Sequence, residues 1–322
     1  MQTEAAAADV TLFKPLLYSG NGGSQSITGT GFQPDLIWWK ARNSSSYNWK
    51  AVDSINGITK NLYLNLQNAL ASDVATTSFD SDGFTFGSGG NGNVSSLNYV
   101  SYSWKGANSS SSNSNGSVAS TVSANVDGGF SIVKWTGDGS TTQTVGHGLS
   151  SAPEIVIMKS LSSSAWYVLT TVISGTNPAY LRLDSTDIAN SATFTSTSTT
   201  FTNFSYSGDT IAYCWHSVSG NSKISTYTGD GSGVTVNDVG FAPSFVLIKN
   251  TTQTDYWGIF DNKRPSGTGN RSYIYPNTAD VEDVYSGSLS GLTLTSTGFA
   301  IDNTNSHMVN QTGETYIYMA FK

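Results

Sequence analysis

A single cysteine, Cys214, stands in 322 residues, so no disulfide can form within the chain. It lies in an apolar run, where a thiol is expected to behave as a small buried hydrophobe. Charge is scarce too: Asp, Glu, Lys and Arg make up 11% of the residues. The balance of 15 basic against 22 acidic residues leaves −7. Without a basic stripe, the sequence speaks against nucleic acid or an anionic membrane surface as partner. No apolar stretch approaches the ~20 residues of a membrane-spanning helix, so membrane insertion is not expected. Met1-Gln2-Thr3-Glu4 followed by an alanine run lacks the basic start and apolar centre of a secretory signal, and assembly in a cytoplasm is the expectation.

The signatures of catalysis are equally thin. His147, His216 and His307 have no Cys or His neighbour at zinc spacing. Glu4, Glu154, Glu282 and Glu314 are the only glutamates, and none recurs in the way a glycosidase acid pair placed in each repeat would require. No nucleophile elbow, Walker loop or dinucleotide fingerprint occurs in a fitting context. Asp80-Ser81-Asp82-Gly83 has the start of a calcium loop but not its later ligands, and reads first as a turn. Asp302-Asn303-Thr304-Asn305 is a similar, weaker case. The chain is therefore read as non-enzymatic, with no catalytic residue, metal site or cofactor assigned.

What is abundant is aromatic and repeated. Aromatics are 12%, with 8 Trp and 16 Tyr, set among Ser, Thr, Asn and Gly. That mixture suits strands with polar, weakly charged faces. One pattern is written three times. Gly20-Asn21-Gly22, Gly137-Asp138-Gly139 and Gly229-Asp230-Gly231 each lead to a Pro-x break. The break opens a wholly apolar run ending in Lys40, Lys159 or Lys249. An aromatic pair follows (Tyr47 and Trp49, Trp166 and Tyr167, Tyr256 and Trp257), and each copy closes on an alternating run to Trp104, Trp215 or Phe321. A repeat of this length overrides a domain count based on chain length.

The expected fold is all-β: three tandem antiparallel β-sandwich repeats, jelly-roll or concanavalin-like, behind a short N-terminal arm. The arm is 1–14 and the repeats are 15–105, 128–218 and 222–322. Residues 106–127, nearly all Ser, Asn, Ala and Gly, read as a flexible linker that holds the first two repeats apart. The second and third, joined by about five residues, should form a more rigid pair. The Gly-Asn/Asp-Gly segments suit tight hairpins. The apolar run before each lysine reads as a central strand covered on both faces.

Aromatic side chains are the candidate binding residues: Trp39, Tyr47, Trp49, Trp166, Tyr256 and Trp257. Indole and phenol faces can stack on sugar rings while Asn48, Asn43 or Asp255 bind hydroxyls. Filling a sandwich core is the competing role for each Trp. Trp38 and Trp39 must point to opposite faces of their strand.

Tyr-x-Gly-Asn-Gly at 18–22, Gly-Phe-Gln-Pro-Asp-Leu-Ile-Trp-x-Lys at 31–40, Phe-Asp-Ser-Asp-Gly-Phe-Thr at 79–85 and the closing 99–105 are together distinctive. They resemble a repeated β-sandwich domain of tailed-bacteriophage structural proteins, common in phages of marine bacteria and cyanobacteria. The second repeat departs with Ser198-Thr199-Thr200-Phe201, and the third ends in Phe321-Lys322 where the first has Trp104-Lys105. The resemblance implies a virion protein with other virion proteins as partners and no catalytic residues. A tail fibre or tail-associated protein for adhesion to host-surface polysaccharide is the first expectation. A capsid decoration or head-fibre protein anchored by the arm is the alternative. Either implies a symmetric homo-oligomer, with a trimer suited to a fibre.

Overall fold

A computed structural model describes residues 11–72, 75–173, 179–264, 271–285, 291–302 and 306–322. All its regular structure is antiparallel strand, in several sheets. Most of the N-terminal arm lies outside the described residues, as do three of the four residues of Asp302-Asn303-Thr304-Asn305.

Each repeat builds one large sheet with the same core order. The opening strands are Phe13–Ser19, Phe130–Asp138 and Ser222–Thr228. Each pairs with the closing strand of its own repeat: Asn98–Trp104, Ser207–Trp215 or Thr315–Phe321. The closing strand pairs in turn with the lysine strand, Leu36–Ala41, Ile155–Ser160 or Phe245–Asn250. Beyond it lies Lys50–Asp53, Tyr167–Thr170 or Trp257–Asp261. The register is conserved as well as the order. Trp104 faces Phe13 and Leu36, Trp215 faces Phe130 and Ile155, and Phe321 faces Ser222 and Phe245.

The Gly-Asn/Asp-Gly segments do not make hairpins. Phe13–Ser19 lies in the large sheet, whereas the next strand, Gln25–Thr28, pairs with Gly83–Phe86 in a small one. The same transfer occurs from Phe130–Asp138 to Thr144–Gly146 and from Ser222–Thr228 to Thr235–Val236. A hairpin is ruled out because the opening strand's partner is supplied by the far end of the repeat. The two glycines have different duties. A Cβ on Gly20, Gly137 or Gly229 would lie 2.1–2.3 Å from a backbone oxygen, whereas Gly22, Gly139 and Gly231 have φ of 72–86°. The residue between them caps the turn: Asn21, Asp138 and Asp230 each accept from the backbone N–H two positions on.

The lysine strands are buried along their whole length, and the structure shows what covers each face. Ile37 and Trp39 join a cluster with Phe84 and Phe86 of the small sheet. Val156 and Met158 join one with Phe201, and Val246 and Ile248 one with Phe299. The alternate residues, Leu36, Trp38, Ile155, Ile157, Phe245 and Leu247, all belong to one central cluster shared by the three repeats. There are thus three private cores and one common core. Trp38 and Trp39 do point to opposite faces, and both are buried.

The accessible surface is 12176 Å² for 34.0 kDa. One compact body of that mass should expose about 12,800 Å², and three separate bodies of a third the mass about 17,000 Å². The repeats are one body.

Where composition reads as a flexible linker, the structure places ordered strand. Ser120–Asn125 pairs with Phe130–Asp138, and Ser111–Asn113 pairs with Ser120–Asn125. Side-chain size misleads here, because the ordering comes from backbone pairing and one buried carboxylate. Asp35 accepts from the N–H of Gly106 at 2.9 Å, the N–H of Asn108 at 3.1 Å and Ser123 Oγ at 3.0 Å. Glu154, at the matching place in the second repeat, holds Ser217 N at 2.7 Å on the way to the third.

Candidate functional site

The three tryptophans singled out from sequence occupy equivalent places, and each is fully buried. Their backbone N–H groups are held alike: Trp49 by Asn65, Trp166 by Asp184 and Trp257 by Asn277, at 3.1–3.2 Å. Their indoles reach out of their own repeats. Trp49 Nε1 donates to Tyr275 O at 2.7 Å, Trp166 Nε1 to Tyr63 O at 2.7 Å, and Trp257 Nε1 to Arg182 O at 2.9 Å. The first repeat thus reaches the third, the second reaches the first, and the third reaches the second, so the set closes into a ring.

Backbone bonds cross the same three boundaries in the opposite sense. Leu70 N donates to Leu161 O, Ala189 N to Thr251 O and Glu282 N to Arg42 O, at 2.7–2.9 Å. Each acceptor lies two residues after the buried lysine of its repeat, and each donor lies five after the Asn or Asp that holds the tryptophan. At the axis, the closing-strand rings meet: Trp104, Trp215 and Phe321 have pairwise centroid distances of 5.8–6.4 Å. The chain is a pseudo-threefold ring.

Two boundaries carry a further polar bond that sequence reading missed. Tyr102 donates to Asp261 Oδ2 at 2.7 Å and Tyr213 to Asp53 Oδ2 at 3.0 Å. The matching register positions at the third boundary are Met319 and Thr170, so donor and acceptor change together. The two aspartates are electrostatically unlike. Burial pushes the Asp53 carboxyl above its ordinary range, against bonds from Asn56, Ile55 and Tyr213. Burial acts on Asp261 too, but the Arg264 guanidinium, with Nε at 2.6 Å, and further hydrogen bonds carry it below the usual range. Arg264 is itself wholly buried and also donates to Ile259 O at 2.7 Å. No signal in the sequence marks Asp53 and Asp261 apart from other aspartates until the register is known.

Lys40, Lys159 and Lys249 are all buried. Lys40 Nζ donates to Ala41 O at 2.6 Å and Ser44 O at 2.8 Å, Lys249 Nζ to Asn250 O at 2.6 Å, and Lys159 Nζ to Ser164 O. Burial draws each ammonium down to about 8, against the pull of Asp280, Asp184 and Asp255 respectively. An amine near that value is a usable nucleophile in an open cleft. Closed in by carbonyls, these lysines instead tie down the loop that follows each strand.

Of the other candidates, Trp39 is buried in the private core of the first repeat, where it meets Phe86 at 5.4 Å. Tyr47 is half-buried at the margin of that core. Tyr256 alone is open, 41% exposed. Its ring lies 4.7 Å from that of half-buried Tyr275, which lies 5.3 Å from Tyr273. Tyr275, which follows the short strand Arg271–Tyr273, was not singled out from sequence. Asp82 spends its carboxylate on Gly29 N and Gly31 N, and Asp80 on Ser78 and Thr85 hydroxyls, as turn-formers do. Among the described residues no group of three His, Cys, Asp or Glu is placed to hold a metal ion.

A domain of unknown function, DUF7483, matches residues 9–322. The chain belongs to this family. The match runs through all three repeats as one unit, in keeping with a single closed body. No curated protein and no solved structure matches the chain.

Proposed function

We propose that this DUF7483 chain is a non-enzymatic structural protein of a tailed-phage virion, tail-associated, that helps attach the particle to host-surface polysaccharide. The observation that carries the reading is the closed ring of indole bonds. It commits the three equivalent tryptophans to joints between repeats, which supports a structural role. A pseudo-threefold body made by one chain suits a place on a symmetry axis, as at a fibre. Within the ring each repeat is taken as a β-sandwich of jelly-roll or concanavalin-like type, its large sheet set against its small one. The link to a virion comes from the sequence motifs at 18–22, 31–40, 79–85 and 99–105. The stacking surface for sugar is then Tyr256 with Tyr275, beside Asp255, rather than the three interior tryptophans.

The test is to label the protein on intact particles and image the label. Label at the tail supports the reading. Label over the head replaces it with capsid decoration, and a chain absent from particles overturns both. Sedimentation of the purified protein decides between one chain standing on the axis and a homo-oligomer, trimer first, set around it.

A further inference from the structure

The ring is not symmetric at its axis. The axial triad of Trp104, Trp215 and Phe321 is backed in the first repeat by Phe13 and in the second by Phe130. The same register position in the third repeat is Ser222. Ser222 is needed for another purpose there. The connection from the second repeat is only a few residues long, and Ser222 Oγ accepts from Val218 N at 3.0 Å and donates to His216 O at 3.2 Å. The phenyl ring that the repeat pattern calls for is missing, and a cavity of about 240 Å³ lies between Ser222, Phe13, Phe130 and the axial rings.

Its chemistry is selective. Lys14, Lys105, Lys263 and Lys322 line it, and no Asp or Glu does. That is four of 15 basic residues and none of 22 acidic ones at a single place in a chain of charge −7. Lys105 and Lys322 are equivalent, each directly following its axial aromatic residue. The acids that flank the axis in register, Asp35 and Glu154, turn their carboxylates to the connecting segments instead. Two of the lining rings also carry unmet donors. Trp104 and Trp215 are at most 2% exposed, and neither Nε1 finds a hydrogen-bond acceptor. Trp38 and Trp135, outside the cavity, carry the same unmet donor, so the site is marked by the missing ring and the lysines instead.

We propose that this axial cavity is a binding site for a carboxylate carried on a six-membered ring. The ring occupies the space of the absent phenyl group, and the carboxylate meets Lys14, Lys105 and Lys263. Ligand pockets for drug-sized molecules run to about 300–1,000 Å³, so this one has room for a single ring and its substituents. The same chemistry comes from two sources, an aryl acid or a sugar acid. The site stands whether or not the protein is virion-borne.

The experiment is calorimetric titration of the full chain with 4-hydroxybenzoate and, separately, with glucuronate. Saturable binding of either is expected, and which one binds names the source. Ser222→Phe restores the repeat pattern. It should keep a single cooperative melt, since Val218 N also bonds Ser222 O, and should abolish binding. Lys105→Gln should weaken binding by about tenfold, as loss of one charge-assisted contact does. It keeps the test open should Ser222→Phe fail to fold. Binding unchanged in Lys105→Gln or in folded Ser222→Phe overturns the site, as does no saturable binding of either acid by the unaltered chain.

Discussion

Replacing Trp166 by Phe cuts one link of the ring while keeping an aromatic ring in the core. Two costs follow from the structure. The carbonyl of half-buried Tyr63 loses the bond that the fully buried Trp166 indole now makes at 2.7 Å. A buried acceptor left unpaired costs about 1–3 kcal/mol. Phenyl also underfills the space of a fully buried indole, adding part of the roughly 3–5 kcal/mol seen for complete truncation of Trp. The expected loss is about 2–4 kcal/mol. Because the ring is closed, it should be felt by the whole molecule. Urea unfolding followed by tryptophan fluorescence and by far-ultraviolet circular dichroism should give one coincident transition at a lower midpoint with unchanged slope. Trp49→Phe and Trp257→Phe should cost the same within about 1 kcal/mol, since their indoles make the same bond to equivalent carbonyls. A separate early transition for one repeat, or a loss below about 0.5 kcal/mol for Trp166→Phe, would refute a ring that is held by these links.

Three other outcomes are expected. Asp261→Asn strands the buried Arg264 guanidinium and should cost about 3–5 kcal/mol, whereas Asp53→Asn, with no cation opposite, should cost about 1 kcal/mol; equal losses in chemical denaturation would contradict the assigned partners. The buried lysines titrate near 8 in the folded chain and near 10.5 when unfolded, so between those values the unfolded state holds more protons and stability rises with pH. Tm should therefore climb from pH 7.5 to 9, partly offset by the buried Cys214 thiol, which is raised above its ordinary 9.0 and acts with the opposite sign, and below the range in which buried tyrosines such as Tyr213 join it; Lys40→Met should flatten the climb, and a steady fall would count against it. Tyr256→Ala should leave the melt within about 0.5 kcal/mol while lowering retention on host polysaccharide, and unchanged retention would remove Tyr256 from the attachment surface.

The periodic features of the fold were legible because a local constraint forces each of them. Glycine at 22, 139 and 231 answers to positive φ, and Leu36-Ile37-Trp38-Trp39 is apolar on both faces because two cores meet there. Which cores they are could not be read. A strand shows that a face is covered but not whether its own small sheet or another repeat covers it. Residues 106–127 misled for a related reason. Their small side chains resemble those of a tether, while their order depends on Asp35, more than seventy positions away from Gly106 in sequence. The equivalence of the three tryptophans was legible in their spacing. Their role as joints depends on Tyr63, Arg182 and Tyr275, whose carbonyls belong to the backbone and leave no mark in residue identity.

The bond from Glu282 N to Arg42 O, with the ion pair beside it at 2.5 Å, joins positions 240 residues apart. Until the third repeat is in place, the first two present the apolar face of Trp38, Trp104 and Trp215 with nothing to cover it. Contacts of such long separation form slowly, and a half-built ring is a sticky species. Closure of the ring thus waits for the closing strand of the third repeat. Thr315–Phe321 lies between Ser222–Thr228 and Phe245–Asn250 and supplies the third axial ring. A nascent chain stalled before it should aggregate or recruit a chaperone, even with two complete repeats already made.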